Sequence, residues 1–234
     1  MTAASTGRSF WFSTLDQFLN KCITTQWAKT VIRVVWVAQC LIKKPSGCGD
    51  PNVYFVSMSI LKVARMGHPV LRQRTVPLSP TELSGSEIQK LIDDMFETMQ
   101  EYEGIGLAAP QVHHSIRLFV AGVDDSDSNF SPIVMVNPEI EMIGSDVGED
   151  WEGCLSIPDI RGKVARARNI RVRFLDRHGK LQQLTATGFP ARVIQHETDH
   201  LNGVLFVDRM TSFESLTFLE EYGRYWDSGS GSDE

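Results

Sequence analysis

The sequence His-Glu-Thr-Asp-His at 196–200 combines the residue types and the spacing that a catalytic metal site requires. In a helix, residues four positions apart share a face, so His196 and His200 would direct their imidazoles at one ion. Glu197 is close enough to accept a proton from a water on that ion and later pass it to a leaving nitrogen. The pattern predicts hydrolysis of an amide bond, and a buried helix with two hydrogen-bonded histidines is the simpler alternative.

Cys154 is the candidate for a third metal ligand. A tetrahedral catalytic site takes three protein ligands and leaves one position open. The chain has 4 Cys, and Cys154 is the one that follows residue 57, where it succeeds a glycine in the segment Glu152–Pro158. A lone cysteine can equally be a small buried apolar residue, and the spacing does not decide between these roles. So few cysteines argue against a disulfide-bonded scaffold and favour a reducing compartment.

The segment Gly104–Gln111 is rich in glycine and other small residues. It would either hydrogen-bond an extended peptide in the manner of a strand or form a tight turn packed on the core, and its residues by themselves favour the turn. The side-chain amide of Gln111 could donate to a developing oxyanion. The segment lacks the Lys-Ser/Thr ending of a phosphate-binding loop.

We predict an α+β fold, which must bring the candidate residues of these three segments together. We expect mixed or antiparallel strands packed around a central metal-binding helix, together with a flanking amphipathic helix and a C-terminal helix. Alternating and β-rich runs predict strands at Ile116–Ala121, Ile133–Val136, Ile170–Phe174 and Leu181–Thr187. Asn137-Pro138 is expected to end the second of these strands.

Three helices are predicted from apolar periodicity and from residues that begin or end helices. Ile88–Met99 has apolar residues at helical spacing and forms the flanking helix. The metal-binding helix has Pro190 in its first turn and ends at Asn202-Gly203. Phe213–Glu220 predicts the C-terminal helix.

Composition divides the chain into three predicted regions. Residues 1–57 are basic and irregular, so they resemble a transit peptide or a stretch upstream of the true start, and we expect them to be dispensable. Residues 58–226 form the predicted catalytic domain. Residues 227–234 contain Gly, Ser and acidic residues and are predicted to be disordered.

Charge and hydropathy exclude two classes of partner. The net charge of -6 does not favour nucleic acid, which usually needs a basic face. The most apolar early stretch, Val31–Ile42, is interrupted by Arg33 and is too short to span a bilayer. We therefore expect no direct sequence-specific binding to nucleic acid and no membrane partner.

Taken together, Gly104–Gln111, Glu152–Pro158 and Gln195–Gly203 resemble the three signature motifs of peptide deformylases, in order and with suitable spacing. The resemblance extends from about Met58 to about Met210 and includes Gly67–Arg72. It implies hydrolysis of the formyl group from the N-terminal formyl-methionine of nascent polypeptides, with release of formate. The expected partners are these nascent chains, at the ribosome, and we expect a cytoplasmic monomer, or a mitochondrial or plastid enzyme if residues 1–57 are a transit peptide.

The resemblance also assigns roles to individual residues. The implied metal ligands are Cys154, His196 and His200. The implied catalytic residues are Glu197 as general base and acid, with the Gln111 amide and the Leu155 N–H for the oxyanion. The implied substrate-binding residues are Ile105, Gly106, Gly153, Arg161 and Val193. Arg166 is expected to pair with Asp199 and brace the metal-binding helix.

The resemblance implies one divalent metal ion, Fe²⁺ in the cell, with Zn²⁺, Ni²⁺ or Co²⁺ as alternatives. Two other classes of protein would use the same helix motif. Another metallopeptidase or amidase would usually add a downstream His or Glu ligand, and no His follows His200. A structural metal domain would usually have four protein ligands and would leave Glu197 without a role.

Overall fold

The structure is a computed structural model that describes residues 59–122 and 130–227. The predicted extension at 1–57 lies outside these ranges, as does the predicted disordered tail apart from Asp227. The domain boundaries therefore stay predictions. Among the described residues, no helix has both the length and the apolar character needed to cross a membrane.

Among the described residues, two α-helices precede a run of seven strands, and two further α-helices and one short strand follow it. The helices are α1 (Pro80–Leu83), α2 (Ser86–Glu101), α3 (Gly188–Leu201) and α4 (Leu219–Tyr225). The strands are β1 (Gly106–Ala108), β2 (Leu118–Ala121), β3 (Ile133–Met142), β4 (Val147–Cys154), β5 (Ile157–Ala167), β6 (Asn169–Leu175), β7 (Leu181–Thr187) and β8 (Thr217–Phe218). Single 3-10 turns occur at Pro69–Arg72, Ala109–Val112, Phe206–Arg209 and Phe213–Ser215.

Two antiparallel sheets carry the fold, and they confirm the α+β prediction. A five-stranded sheet has the order β1-β2-β3-β6-β7, and a three-stranded sheet has the order β4-β5-β8. Every strand pair in both sheets is antiparallel. On β6, Ile170 and Val172 are buried while Arg171 and Arg173 pair with glutamates of β3 at the surface, as the alternating sequence predicts.

Helices α2 and α3 pack on opposite faces of the five-stranded sheet. Side chains of a strand alternate between faces, so Leu118 and Val120 of β2 join the apolar cluster of α2. Phe119 and Ala121 join the cluster that contains the apolar residues of α3. The predicted amphipathic and metal-binding helices are thus both present, and the second is held against the sheet along most of its length.

Gly203 ends α3, as predicted. Its φ is 75°, a left-handed conformation that favours glycine. A Cβ at this position would lie 2.7 Å from the carbonyl oxygen of Arg72. The chain therefore changes direction sharply after α3, at the point where it contacts the 3-10 segment Pro69–Arg72.

Two predicted element boundaries are wrong. Strand β3 does not end at Asn137-Pro138 but continues to Met142, because a bulge between Val136 and Glu139 accommodates the missing proline N–H. The side chain of Asn137 stabilises this bulge by bonding both the N–H and the carbonyl of Leu78, at 2.9 and 2.8 Å.

The C-terminal helix also begins later in the chain than predicted. Residues Phe213–Ser215 form a 3-10 turn, Thr217–Phe218 form β8, and the helix begins only at Leu219. Pairing of β8 with β5 takes the backbone bonds that a longer helix would use. Strands β4 and β5, which form the longest hairpin of the described chain, were not predicted, since their many charged residues and glycines obscure the alternation.

We predict that Met95→Ala lowers the free energy of unfolding by about 2–5 kcal/mol, because it leaves a cavity where α2 packs on the sheet. Met95 is fully buried, whereas Met66 is 50% exposed and is the matched control. Urea unfolding would measure both variants. Equal losses for Met95→Ala and Met66→Ala would contradict the packing described here.

Candidate metal centre

Helix α3 presents His196, Glu197 and His200 toward the buried side of the fold. All three are nearly inaccessible, at 9%, 4% and 1% exposure. The two imidazole rings are one helical turn apart, and their centroids are 5.0 Å from each other. The spacing seen in the sequence thus brings both rings to one place.

Cys154 reaches the same place from the end of β4. Its Sγ lies 3.2 Å from His200 Nε2, and the ligand atoms of Cys154, His196 and His200 lie within 4.8 Å of one another. Among the described residues, no fourth His, Cys, Asp or Glu joins this group. The donor set therefore has the composition of a catalytic site with an open position.

The electrostatics of this group favour a cation. Burial by itself would raise the pKa of the Cys154 thiol, but the adjacent His200 and His196 bring that pKa well below its ordinary value. Burial would lower the pKa of His196, but Cys154 and Glu152 raise it well above its ordinary value. A thiolate that draws positive charge to itself, beside two imidazoles, suits a divalent transition metal. The residues present therefore fit the implied ion.

Glu197 lies beside this group with an unpaired carboxylate oxygen. Its Oε2 is buried and has no hydrogen-bond partner. Burial is the largest influence on its pKa and raises it to about 7. A carboxylate that changes protonation near neutral pH can both accept and return a proton.

Glu152 has a role that the sequence did not reveal. Its Oε2 lies 2.9 Å from His196 Nδ1, and its carboxylate accepts two bonds of 2.9 Å from Arg166 and one of 2.8 Å from Arg192. Burial by itself would raise the pKa of Glu152, but His196 and Arg166 hold it well below its ordinary value. Because Nδ1 faces Glu152, His196 is left with Nε2 for the metal. The only signal in the sequence was an acidic residue two positions before Cys154.

Arg166 also pairs with Asp199, as the sequence predicts. The ion pair between Arg166 Nη1 and Asp199 Oδ2 is buried on both sides. Arg209 adds a second cation, with its Nη2 2.6 Å from Asp199 Oδ1. These bonds attach α3 to β5 and to the turn that follows the helix.

Gln111 is fixed next to the thiol. Its Oε1 accepts a 2.8 Å bond from Ala108 N, which orients the amide. Its Nε2 donates to Ser156 Oγ at 3.2 Å and lies 3.5 Å from Cys154 Sγ. Leu155 follows Cys154 in the turn between β4 and β5 and faces the same cavity.

The segment Gly104–Gln111 is not simply a tight turn. Gly106–Ala108 form the edge strand β1, which pairs with β2 along one side, and a 3-10 turn follows. An edge strand has unpaired backbone groups on its other side, which an extended peptide can use. The residues by themselves favoured the turn because three strand residues give too short a pattern to recognise.

A cavity of about 570 Å³ opens over the centre. All of the predicted substrate-binding residues line it: Ile105, Gly106, Gly153, Arg161 and Val193. A Cβ on Gly106 would collide with the Glu197 carboxylate, and a Cβ on Gly153 would collide with the Arg161 guanidinium. At both glycines, the backbone and a charged side chain therefore approach each other more closely than any other residue type would allow.

The remaining histidines of the described chain lie apart from this centre. His68, His113, His114 and His178 are exposed. His68 and His113 contact each other, with ring centroids 4.8 Å apart. These four histidines are therefore surface residues.

Comparison with known proteins shows that the chain belongs to the polypeptide deformylase family. The sequence profile described as polypeptide deformylase matches residues 60–215. Peptide deformylase 2 of Nostoc sp. is 41% identical over 168 residues, covering 70% of this chain and 93% of the relative. The peptide deformylase of Xylella fastidiosa is 48% identical over 155 residues, covering 66% of this chain and 89% of the relative.

Solved structures of peptide deformylases are also similar to this chain. The Met-Ala-Ser-bound class I type b peptide deformylase of Acinetobacter baumannii has a TM-score of 0.63 at 40% identity, covering 66% of this chain and 100% of that one. The peptide deformylase of Thermotoga maritima has a TM-score of 0.60 at 39% identity, covering 65% of this chain and 99% of that one. The similarity therefore holds for the fold as well as for the sequence.

We predict that Glu152→Gln lowers the free energy of unfolding by about 3 kcal/mol, because Arg166 and Arg192 would lose a buried counter-charge. The control is Glu139→Gln, since Glu139 and Arg173 are 71% and 63% exposed and such surface pairs contribute less than about 1 kcal/mol. Chemical denaturation would compare the two. A loss no larger for Glu152→Gln than for Glu139→Gln would refute the role of the buried cluster.

We predict that His200→Ala abolishes stoichiometric metal binding, because two ligands remain where three are needed. His178→Ala removes an exposed histidine and should retain the metal. Elemental analysis of protein loaded anaerobically and then desalted would give the metal content of both. A full equivalent of metal in folded His200→Ala would remove His200 from the ligand set.

Proposed function

Since this chain belongs to the polypeptide deformylase family and removes the N-formyl group of nascent polypeptides, we propose that the reaction takes place at Cys154, His196, His200 and Glu197. The observation that carries this proposal is their convergence: three donor atoms within 4.8 Å of one another lie beside a buried, unpaired carboxylate oxygen. The family assignment also sets aside the alternatives of a structural metal domain and of an unrelated metallopeptidase with the same helix motif.

Cys154, His196 and His200 would hold one divalent ion. When bound, that ion lowers the pKa of the attacking water and polarises the formyl carbonyl. We propose Fe²⁺ as the ion used in the cell, with Zn²⁺, Ni²⁺ and Co²⁺ as ions that the same ligands accept. A thiolate ligand makes such a centre sensitive to oxidation.

Glu197 moves the protons of the reaction. Its Oε2 accepts a proton from water as the water oxygen bonds to the formyl carbon, and it then delivers that proton to the amide nitrogen as the carbon–nitrogen bond breaks. The products are formate and a free amino terminus. A pKa raised to about 7 by burial suits both halves of this exchange.

Gln111 and Leu155 would stabilise the oxyanion that forms on the formyl oxygen. The Gln111 Nε2 is oriented by the bond from Ala108 N to its Oε1. The backbone N–H of Leu155 is the second donor that we propose. Donors that are fixed before the reaction stabilise the developing charge without reorganisation.

The peptide would lie in the cavity as an extended strand. Gly106 on the free edge of β1 and Gly153 at the end of β4 would bond its backbone, and Arg161 would contact it. Ile105 and Val193 would line the pocket for the methionine side chain, where Val193 is buried and Ile105 is 36% exposed. The proposed substrates are formyl-methionyl chains emerging from the ribosome.

We also propose that the working enzyme is a cytoplasmic monomer and that residues 1–57 are dispensable for it. The family match begins at residue 60, which supports a catalytic unit that starts near Met58. Import into a mitochondrion or plastid is the alternative if residues 1–57 are a transit peptide.

We predict that the full chain, loaded anaerobically with Fe²⁺, Ni²⁺ or Zn²⁺, releases formate from formyl-Met-Ala-Ser, and that Glu197→Gln lowers kcat by about 10²-fold or more. Glu197→Gln should keep both its metal and its fold. Glu101→Gln, which changes an exposed residue at the end of α2, is the control and should retain activity. Intact turnover by Glu197→Gln would show that another group moves the proton.

We predict that a chain beginning at Met58 is soluble and has the kcat/KM of the full chain, because the family match begins at residue 60. Formate release by the two chains, prepared side by side, would test this. Insoluble or inactive protein would mean that residues 1–57 belong to the enzyme.

A further inference from the structure

Arg192 is a buried cation on the metal-binding helix, and it lies outside the three signature motifs. It is on α3, four positions before His196, so the two residues share a face of the helix. Its exposed fraction is 9%. Charged side chains are almost never buried to this degree unless their donors have partners, so the bonds of Arg192 indicate what it does.

The guanidinium of Arg192 attaches α3 to both strands of the β4–β5 hairpin. On β4, Nη2 donates to Gly148 O at 2.7 Å, and Nη1 lies 3.4 Å from Asp150 O. On β5, Nη1 donates to Val164 O at 2.7 Å. Strand β4 ends at Cys154. These bonds therefore join the strand that carries the thiol to the helix that carries the imidazoles.

Arg192 also bonds the carboxylate that holds one of those imidazoles. Its Nη1 donates to Glu152 Oε1 at 2.8 Å, and Glu152 Oε2 lies 2.9 Å from His196 Nδ1. Arg192 and His196 thus contact the two different oxygens of one buried carboxylate. Rotation of this carboxylate would break one bond or the other, so Arg192 restrains the direction from which Glu152 meets the ring. Outer partners of this kind orient metal ligands and raise metal affinity.

Arg166 bonds the same carboxylate but has a different second partner. It donates to both oxygens of Glu152 and also pairs with Asp199. Without Arg192, Glu152 would keep a buried counter-charge in Arg166, but it would lose the guanidinium that is itself fixed to backbone carbonyls of both strands. Removal of Arg192 therefore changes how Glu152 is oriented more than whether its charge is balanced.

We propose that Arg192 is a positioning residue that fixes Glu152, and through Glu152 the His196 ring, so that His196 and Cys154 hold one ion together. This inference rests on the proposed function, since it takes His196 and Cys154 to be metal ligands. The role requires a guanidinium, whose planar set of donors reaches a carboxylate and carbonyls of two strands at once. A lysine ammonium would keep the charge but could not make all of these bonds.

The first test measures the release of Co²⁺ from the full chain into excess chelator, anaerobically and without peptide. We expect Arg192→Met to release Co²⁺ about 10-fold faster or more, which is the scale on which outer partners change metal affinity. Arg192→Lys should lie between Arg192→Met and the unmodified chain. The control is Arg173→Met, which removes a surface partner of Glu139 and should leave the rate unchanged. Because no peptide is present, a contact between Arg192 and substrate cannot affect the result.

The visible absorption of bound Co²⁺ separates positioning from a general loss of stability. Absorption of this ion depends on the arrangement of its ligands, so Arg192→Met should shift the bands and Arg173→Met should retain them. Adding Arg192→Met to Glu152→Gln should accelerate release much less than Arg192→Met does in the unmodified chain. An amide has one acceptor oxygen and cannot serve both Arg192 and His196, so the connection is already broken in Glu152→Gln.

Unchanged release and an unchanged spectrum in folded Arg192→Met would overturn the proposal. Fully additive effects of Arg192→Met and Glu152→Gln would overturn it as well, since Arg192 would then not act through Glu152. If Arg192→Met does not fold, Arg192→Lys decides: faster release supports the proposal, and release at the unmodified rate overturns it. Failure of the unmodified chain to bind one equivalent of Co²⁺ would instead refute the proposed metal site.

Discussion

The carboxylate of Glu152 accepts hydrogen bonds from His196, Arg166 and Arg192 within one buried cluster. The cluster joins β5 to β4 and α3, and these last two elements carry the three proposed metal ligands. Charges buried in this way are tolerated only when each has a partner in good geometry. The position of the His196 ring therefore depends on two arginines that are not among the proposed metal ligands.

The five-stranded sheet provides the rigid support for this cluster. Helix α3 covers one face of the sheet and α2 covers the other, so the side chains of β2 are buried on both faces. Buried packing on both sides keeps the end of β1 at a fixed distance from α3. The contact between Gly106 and Glu197 is so close that it excludes a Cβ, and such a contact can persist only between elements that do not shift.

The cavity combines groups of opposite character over a short distance. Its wall includes Cys154, His196 and Glu197 as well as the apolar side chains of Phe189, Trp151 and Leu219. The first group suits the chemistry of a formyl amide, and the second suits side chains of a peptide. Leu219 belongs to the C-terminal segment, which lies beyond the last of the signature motifs.

The sequence by itself predicted the two histidine ligands, the proposed general base and the main helices, because these depend on local spacing. Cys154 was added to the ligands only through the family resemblance. Residues four apart in a helix share a face whatever surrounds them, and alternation over Ile170–Phe174 predicts β6 without any knowledge of its neighbours. Even the pairing of Arg166 with Asp199 was expected, although only from the family resemblance.

Only the tertiary structure decided which separate segments meet. The function of Glu152 could not be predicted, because its partners lie between 14 and 44 positions away in the chain. The β4–β5 hairpin and the bulge at Asn137 escaped prediction because their stability comes from pairing across strands rather than from the pattern within one. Leu219 enters the cavity for the same reason: β8 pairs with β5, and long-range pairing of this kind leaves no periodic signal in the sequence.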